Sequence, residues 1–323
     1  MKDGLMTQTA QGAQKTLRRD ATLTGIGTHS GKPVTLRLSP ADPDTGIIFV
    51  RRNEAGEEVF IPARSSSVVG TQMCTILGDG AGLSVATVEH LLAATSALSI
   101  DNLLIEVDGA EIPMMDGSAA AFVEAIDEAG IAMQPARARA IKVLKPVRLE
   151  VGSSWAEFLP YNGRRFTVEI DFDCPVIGRQ KHAANITANG FRRDIARART
   201  FGYMKDVEAL WAKGLALGSS LDNAVVIADD KVVNPEGLRY PDEFSRHKLL
   251  DAVGDLALAG APIIGHYRSY RGGHKVNAMA LAALLEDRSA WSWLVSSDPA
   301  PRRSEQAEGL PGYFAPAFAP DRS

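Results

Sequence analysis

The densest run of titratable residues is Glu243-Phe244-Ser245-Arg246-His247-Lys248-Leu249-Leu250-Asp251-Ala252-Val253-Gly254-Asp255. His247, Asp251 and Asp255 follow one another at intervals of four, so on a helix they share one stripe. An imidazole and a carboxylate one turn apart can reach a single ion; an i,i+4 His–Asp pair on a solvated face has the same spacing. A second run, Thr87-Val88-Glu89-His90-Leu91-Leu92, sets a Glu–His pair in an apolar context, where a carboxylate is costly unless it is paired or ligates something. Alone, His90 reads equally as a satisfied core histidine. Together the two runs supply two histidines and one carboxylate, His90, His247 and Asp251. Catalytic zinc sites use that ligand number and leave a fourth position to water. Glu89 would then stand beside the metal, where it could take a proton from that water. A third run, Tyr270-Arg271-Gly272-Gly273-His274-Lys275, predicts a short exposed turn carrying His274. A neighbouring carboxylate such as Asp255 would favour its imidazolium; an ordinary surface-loop histidine is the alternative. His29 lies in Gly25-Ile26-Gly27-Thr28-His29-Ser30-Gly31, a glycine-rich turn without dinucleotide or phosphate-loop spacing. His182 and His266 have no evident partners.

The elements that must position these residues can be read from hydrophobic periodicity. Apolar Leu249, Leu250, Val253, Leu256 and Ala257 recur at helical spacing around His247. Further helices are predicted over 85–97 with Ser84 as N-cap, over 118–130 with Gly130 at the stop, and over 276–285. Strands are predicted over 34–38, 47–50, 59–61, 102–107 and 224–228. Residues 134–139, where Pro135 is followed by alternating Ala and Arg, read as a linker. The run Lys145-Pro146-Val147-Arg148-Leu149 rhymes with Lys32-Pro33-Val34-Thr35-Leu36, a hint of two related α+β halves.

A chain of 323 residues is long enough for two cores. The formal charge of -4 gives no nucleic-acid footprint, although Arg192-Arg193 or Arg197 and Arg199 could meet a phosphorylated small molecule. Cys74 and Cys174 are too few and too far apart for a disulfide framework or thiolate metal site, which suits a reducing compartment. No apolar run approaches the ~20 residues needed to span a bilayer, and the first 16 residues lack a signal-peptide core. The expectation is a cytoplasmic monomer without stable membrane insertion.

With these residues in place the sequence resembles the UDP-3-O-acyl-N-acetylglucosamine deacetylase family, the zinc enzymes of lipid A biosynthesis, over about residues 16–294. The motifs that carry the resemblance are Gly25-Ile26-Gly27-Thr28-His29-Ser30-Gly31-Lys32, Thr87-Val88-Glu89-His90-Leu91, Glu111-Ile112-Pro113-Met114-Met115-Asp116-Gly117-Ser118-Ala119, Ala198-Arg199-Thr200-Phe201-Gly202, the segment from His247 to Asp255, and Gly273-His274. The resemblance implies Zn2+ on His90, His247 and Asp251, Glu89 as general base, and His274 as acid and oxyanion stabiliser oriented by Asp255. It further implies that Thr200 offers its hydroxyl to the tetrahedral intermediate, Phe201 packs on the sugar and Lys248 contacts the substrate. Asp171 and Phe172 match the uracil-recognition segment, and Arg271 stands where a family lysine approaches the phosphates. The implied fold is two related two-layer α+β domains, 16–136 and 137–295, with the active site between their helical layers. By composition, residues 1–15 read as a disordered leader and the Pro-, Ala- and Ser-rich 296–323 as a flexible tail; both depart from the family pattern. Each domain would carry an insert, at about 44–75 and 206–235; the second, with Val207, Leu210, Trp211, Leu215 and Leu217, would wall the acyl passage. Two histidines and a carboxylate also describe non-haem iron oxygenases, but there two ligands sit close together on a β-scaffold. A purely structural zinc would want a fourth protein ligand, and none is obvious.

Overall fold

The computed structural model describes residues 12–296, apart from 213, 215 and the side chain of 208; Leu215 and the expected tail beyond Ser296 therefore lie outside the described residues. Six α-helices are seen among them: α1 (Glu89–Ala97), α2 (Ala120–Ala129), α3 (Ala188–Asp194), α4 (Met204–Trp211), α5 (Glu243–Ala257) and α6 (His274–Glu286). With the strands they form a mixed α+β architecture built on two main sheets.

The first sheet runs Ala21–Ile26, Pro33–Pro40, Leu103–Val107, Ile47–Arg52, Glu58–Pro62 in spatial order. Its pattern follows from the pleat: on Pro33–Pro40, Val34, Leu36 and Leu38 are buried while Thr35 and Arg37 are exposed, the alternation of a sheet with one wet face. The second sheet repeats the arrangement. Val147–Val151, Ser154–Leu159, Ile263–Tyr270, Arg164–Asp171 and Arg179–Asn185 stand in the same order. Its central Ile263–Tyr270 is parallel to Arg164–Asp171 and antiparallel to Ser154–Leu159. Leu103–Val107 bears the same relations to Ile47–Arg52 and Pro33–Pro40. In both sheets a long buried helix precedes the central strand, α1 in one and α5 in the other, and these two helices pack against each other. Lys145-Pro146-Val147 nonetheless opens the counterpart of Ala21–Ile26, whereas Lys32-Pro33-Val34 opens Pro33–Pro40, so the sequence rhyme pairs non-equivalent strands.

Several boundaries differ from expectation. Residues 131–137 and 139–143 are strands, the former paired with Ala13–Leu17 and the latter with Trp291–Val295; the 134–139 segment is thus sheet rather than linker, and residues 13–15 of the supposed leader are strand as well. The segments Ile47–Arg52 and Glu58–Pro62 belong to the first main sheet, and the separate small sheet of that half is Val68–Gly70, Ile76–Gly78 and Ser84–Val85. The corresponding sheet of the second half is Phe201–Tyr203, Val225–Ala228 and Lys231–Val232, with α4 inside it. Helix α1 starts four residues later than the periodicity suggests. Ser84–Val85 is strand, Ala86 bridges to Glu111 and Thr87 takes φ 60, a left-handed conformation that a β-branched residue rarely adopts and that stops the helix from reaching back.

Candidate active site

Helices α1 and α5 meet so closely that their contact requires Gly254, because a Cβ there would collide with the Glu89 carbonyl. This crossing brings His90 to His247 and Asp251. The three offer ligand atoms that all lie within 4.8 Å of one another, and all three residues are buried. Asp251 Oδ1 stands 3.3 Å from His247 Nε2 and 3.6 Å from His90 Nε2. Two ligand atoms each about 2.0–2.1 Å from a tetrahedral ion are roughly 3.3 Å apart, so the spacing suits a shared metal. Asp251 Oδ1 has no hydrogen-bond partner among the described residues although it is buried, a costly state for a carboxylate oxygen unless a cation receives it. Its other oxygen takes the Lys248 ammonium at 2.9 Å. His247 donates Nδ1–H to the Ala198 carbonyl at 3.0 Å, which directs Nε2 at the cluster. Burial pushes the His247 imidazole down to about 3 against the pull of Asp251, and a neutral imidazole is the form that binds metal. Burial would raise Asp251, but His247 and Lys248 hold its carboxyl well below the usual range. The donor set therefore fits a divalent metal.

Glu89 and His274 flank this cluster, with His274 Nε2 3.9 Å from Glu89 Oε1. Burial raises the Glu89 carboxyl, opposed by the charges of His274 and His90. His274 is not on an exposed turn: it is the first residue of α6 and is buried. Asp255 Oδ2 accepts its Nδ1–H at 2.9 Å. Burial alone would depress this imidazolium, but Asp255 and then Glu89 outweigh it and lift the group to about 10. Lys248 is likewise held protonated, the cost of burial being exceeded by Asp251.

The cluster lines a cavity of about 480 Å³. Its lining includes polar Thr200, His29 and Lys248 and apolar Val207, Leu210 and Trp211 from α4. The sequence of the UDP-3-O-acyl N-acetylglycosamine deacetylase family matches residues 14–286. The chain belongs to that family. Proteins named UDP-3-O-acyl-N-acetylglucosamine deacetylase from Brucella ovis and Brucella abortus are each 55% identical over 279 residues, covering 86% of this chain and 97% of theirs. The protein of that name from Brucella melitensis matches to the same extent.

Within this deacetylase scaffold the remaining expected residues divide. Thr200, Phe201, Lys248 and Phe172 line the cavity. Phe201 packs edge-on against Phe172, Phe244 and His247, with the Lys248 ammonium 5.4 Å from its ring. Asp171 and Arg271 are not among the lining residues; they pair with each other at 3.5 Å, and Asp171 also accepts the Tyr270 hydroxyl at 2.5 Å. Sequence reasoning passed over Thr75, Asn277 and Tyr267, which are buried around Asp255. It also gave His29 no place, although His29 lines the cavity and its loop is held by Glu111, whose carboxylate accepts the His29 and Ser30 N–H groups. His182 and His266 have ordinary partners, Asp242 and Thr167, at 2.8 and 2.9 Å. No described helix is long and apolar enough to cross a membrane.

Proposed function

We infer that the protein hydrolyses the N-acetyl group of an acylated UDP-N-acetylglucosamine, releasing acetate and a free amine in lipid A biosynthesis, with zinc as its metal. The observation that carries this is the convergence of His90, His247 and Asp251, remote in sequence, on one partnerless carboxylate oxygen, flanked by Glu89 and His274. When bound there, zinc supplies Lewis acidity toward the amide carbonyl and the attacking water. Glu89, raised by burial, accepts a proton from that water as the C–O bond forms. Its Oε1 lies 3.9 Å from His274 Nε2, so the cavity holds a base and an acid side by side. His274, protonated and steadied by Asp255, shares the oxyanion charge and delivers a proton to the nitrogen as the C–N bond breaks. Thr200 offers its hydroxyl to the same oxygen; a donor so placed is typically worth about 3–4 kcal/mol.

Phe201 supplies a face for the sugar and Lys248 a cation near the substrate's polar end. Phe172 is the part of the uracil-recognition segment that faces the cavity. Arg271 meets Asp171 through a single long contact, which leaves guanidinium donors to engage a phosphate. Val207, Leu210 and Trp211 form the apolar wall on which an acyl chain can lie.

The test is mass-spectrometric detection of acetate release from the acylated UDP-sugar, with and without chelator, alongside an oxygen electrode. Chelator-sensitive release without oxygen uptake is expected. Release that survives complete metal removal, or in a Glu89→Ala/His274→Ala double variant, would refute the reading.

A further inference from the structure

Thr75 precedes the strand Ile76–Gly78 of the small sheet in the first half and is buried. Its backbone N–H donates to Glu89 Oε2 at 3.0 Å, and its hydroxyl donates to Asp255 Oδ1 at 2.6 Å. One residue thus touches both carboxylates that flank the cluster, one on α1 and one on α5. We propose that Thr75 is a positioning residue that fixes Glu89 and Asp255 relative to each other across the two halves of the chain.

The argument rests on which oxygens are left free. The terminal torsion of a carboxylate is broad and two-fold, so an Asp or Glu with one partner can turn its wrong oxygen forward. Thr75 occupies Glu89 Oε2, which leaves Oε1 facing His274 at 3.9 Å. It also occupies Asp255 Oδ1, which leaves Oδ2 for His274 Nδ1–H at 2.9 Å and Asn277 Nδ2–H at 2.7 Å. Asn277 is in turn held by the Tyr267 hydroxyl, which donates to its Oδ1 at 2.6 Å. The hydroxyl of Thr75 has a single proton and spends it on Asp255. A β-branched side chain with restricted χ1 holds that proton in place. Without the hydroxyl, Asp255 Oδ1 loses the hydrogen bond that sets its rotation, and the imidazole loses its fixed support.

This inference presupposes the deacetylase reading above. Thr75→Ser and Thr75→Ala lose the same methyl group, so any difference between them reports the hydroxyl alone. Both are purified, checked for equal metal content, and assayed for acetate release beside the wild type. Thr75→Ser is expected to stay within about threefold of wild type, while kcat of Thr75→Ala falls about 10- to 100-fold with KM little changed, the scale of loss when reacting groups shift slightly. Equal kcat in the two variants, or a loss confined to KM, would overturn the role given to Thr75 while leaving the deacetylase reading intact. An inactive wild type would instead overturn that reading and this inference with it.

Discussion

Glu89 and His274 face each other across 3.9 Å, yet burial and charge push the two in the same direction: both titrate higher than usual. For Glu89 the cause is loss of water; for His274 it is Asp255 and Glu89 overcoming that loss. Such a pair sets a carboxylate made more basic than usual beside an imidazole that keeps its proton, the pairing a base–acid couple needs. Glu89→Gln and His274→Ala should fold and retain metal, as read by metal analysis, while kcat falls on the order of 10²- to 10⁴-fold. Asp255→Asn removes the largest influence that raises His274, so the alkaline limb of the rate profile should move to lower pH; an unmoved limb would refute the coupling. The sign for stability follows from the same shift. A folded-state imidazole raised to about 10 contributes stability that is complete below about pH 6.5, its unfolded value. That contribution is lost as pH rises through about 10. Metal-free wild type should therefore lose stability over that window more steeply than metal-free Asp255→Asn, as seen by melting at stepped pH. His247, Asp251 and Asp255 were legible in the sequence because helical spacing alone aligns them. Thr75 and Asn277 were not, since each matters through a hydrogen bond to Asp255, which lies 180 and 22 residues away respectively.

At the scale of elements, the site depends on how near α1 can come to α5. Glycine in the middle of a helix is unfavourable by about 1 kcal/mol relative to alanine, so propensity alone says Gly254→Ala should stabilise α5. The structure says otherwise, because the added Cβ would meet backbone, the Glu89 carbonyl, rather than the yielding tip of a side chain. Forced shifts in a packed interior typically cost about 1–3 kcal/mol, which exceeds the propensity gain. Gly254→Ala should therefore unfold at lower denaturant concentration and bind metal more weakly, since separating the helices moves His90 away from Asp251. A variant as stable as wild type, with full metal content, would show that the helices can part without cost. Four of the α-helices and most strands of the first main sheet were legible: Pro33–Pro40 alternates, and α2 ends at Gly130, which has φ 74; the strands of the second main sheet and α3 were not. The start of α1 was not legible, because it is set by the strained Thr87 and by the pairing of Ser84–Val85 with Ile76–Gly78. Neither feature leaves a periodic trace in the sequence.

For the whole molecule, the repeated strand order gives the site its logic. α1 and α5 are equivalent helices of the two repeats, and the candidate ligands are split between them, His90 on one and His247 with Asp251 on the other. The join between the repeats was misread as a linker because 131–137 is half exposed on a two-stranded sheet, and the Ala–Arg alternation over 136–140 carries the chain into 139–143 without an apolar run. A metal bound at this crossing fastens one repeat to the other. Ligand binding to the native state alone stabilises by RT ln(1 + [L]/Kd), about 4 kcal/mol at a thousandfold excess over Kd. Chelation should thus lower the melting temperature of wild type, and restored zinc should raise it again. Glu89→Gln, which leaves all three ligands, should keep this response. His90→Ala should lose most of it, because the remaining pair sits on a single helix and no longer joins the repeats. A His90→Ala protein whose melting still rises with zinc as in wild type would mean that α5 alone holds the metal, and that the crossing of the two helices is not what builds the site.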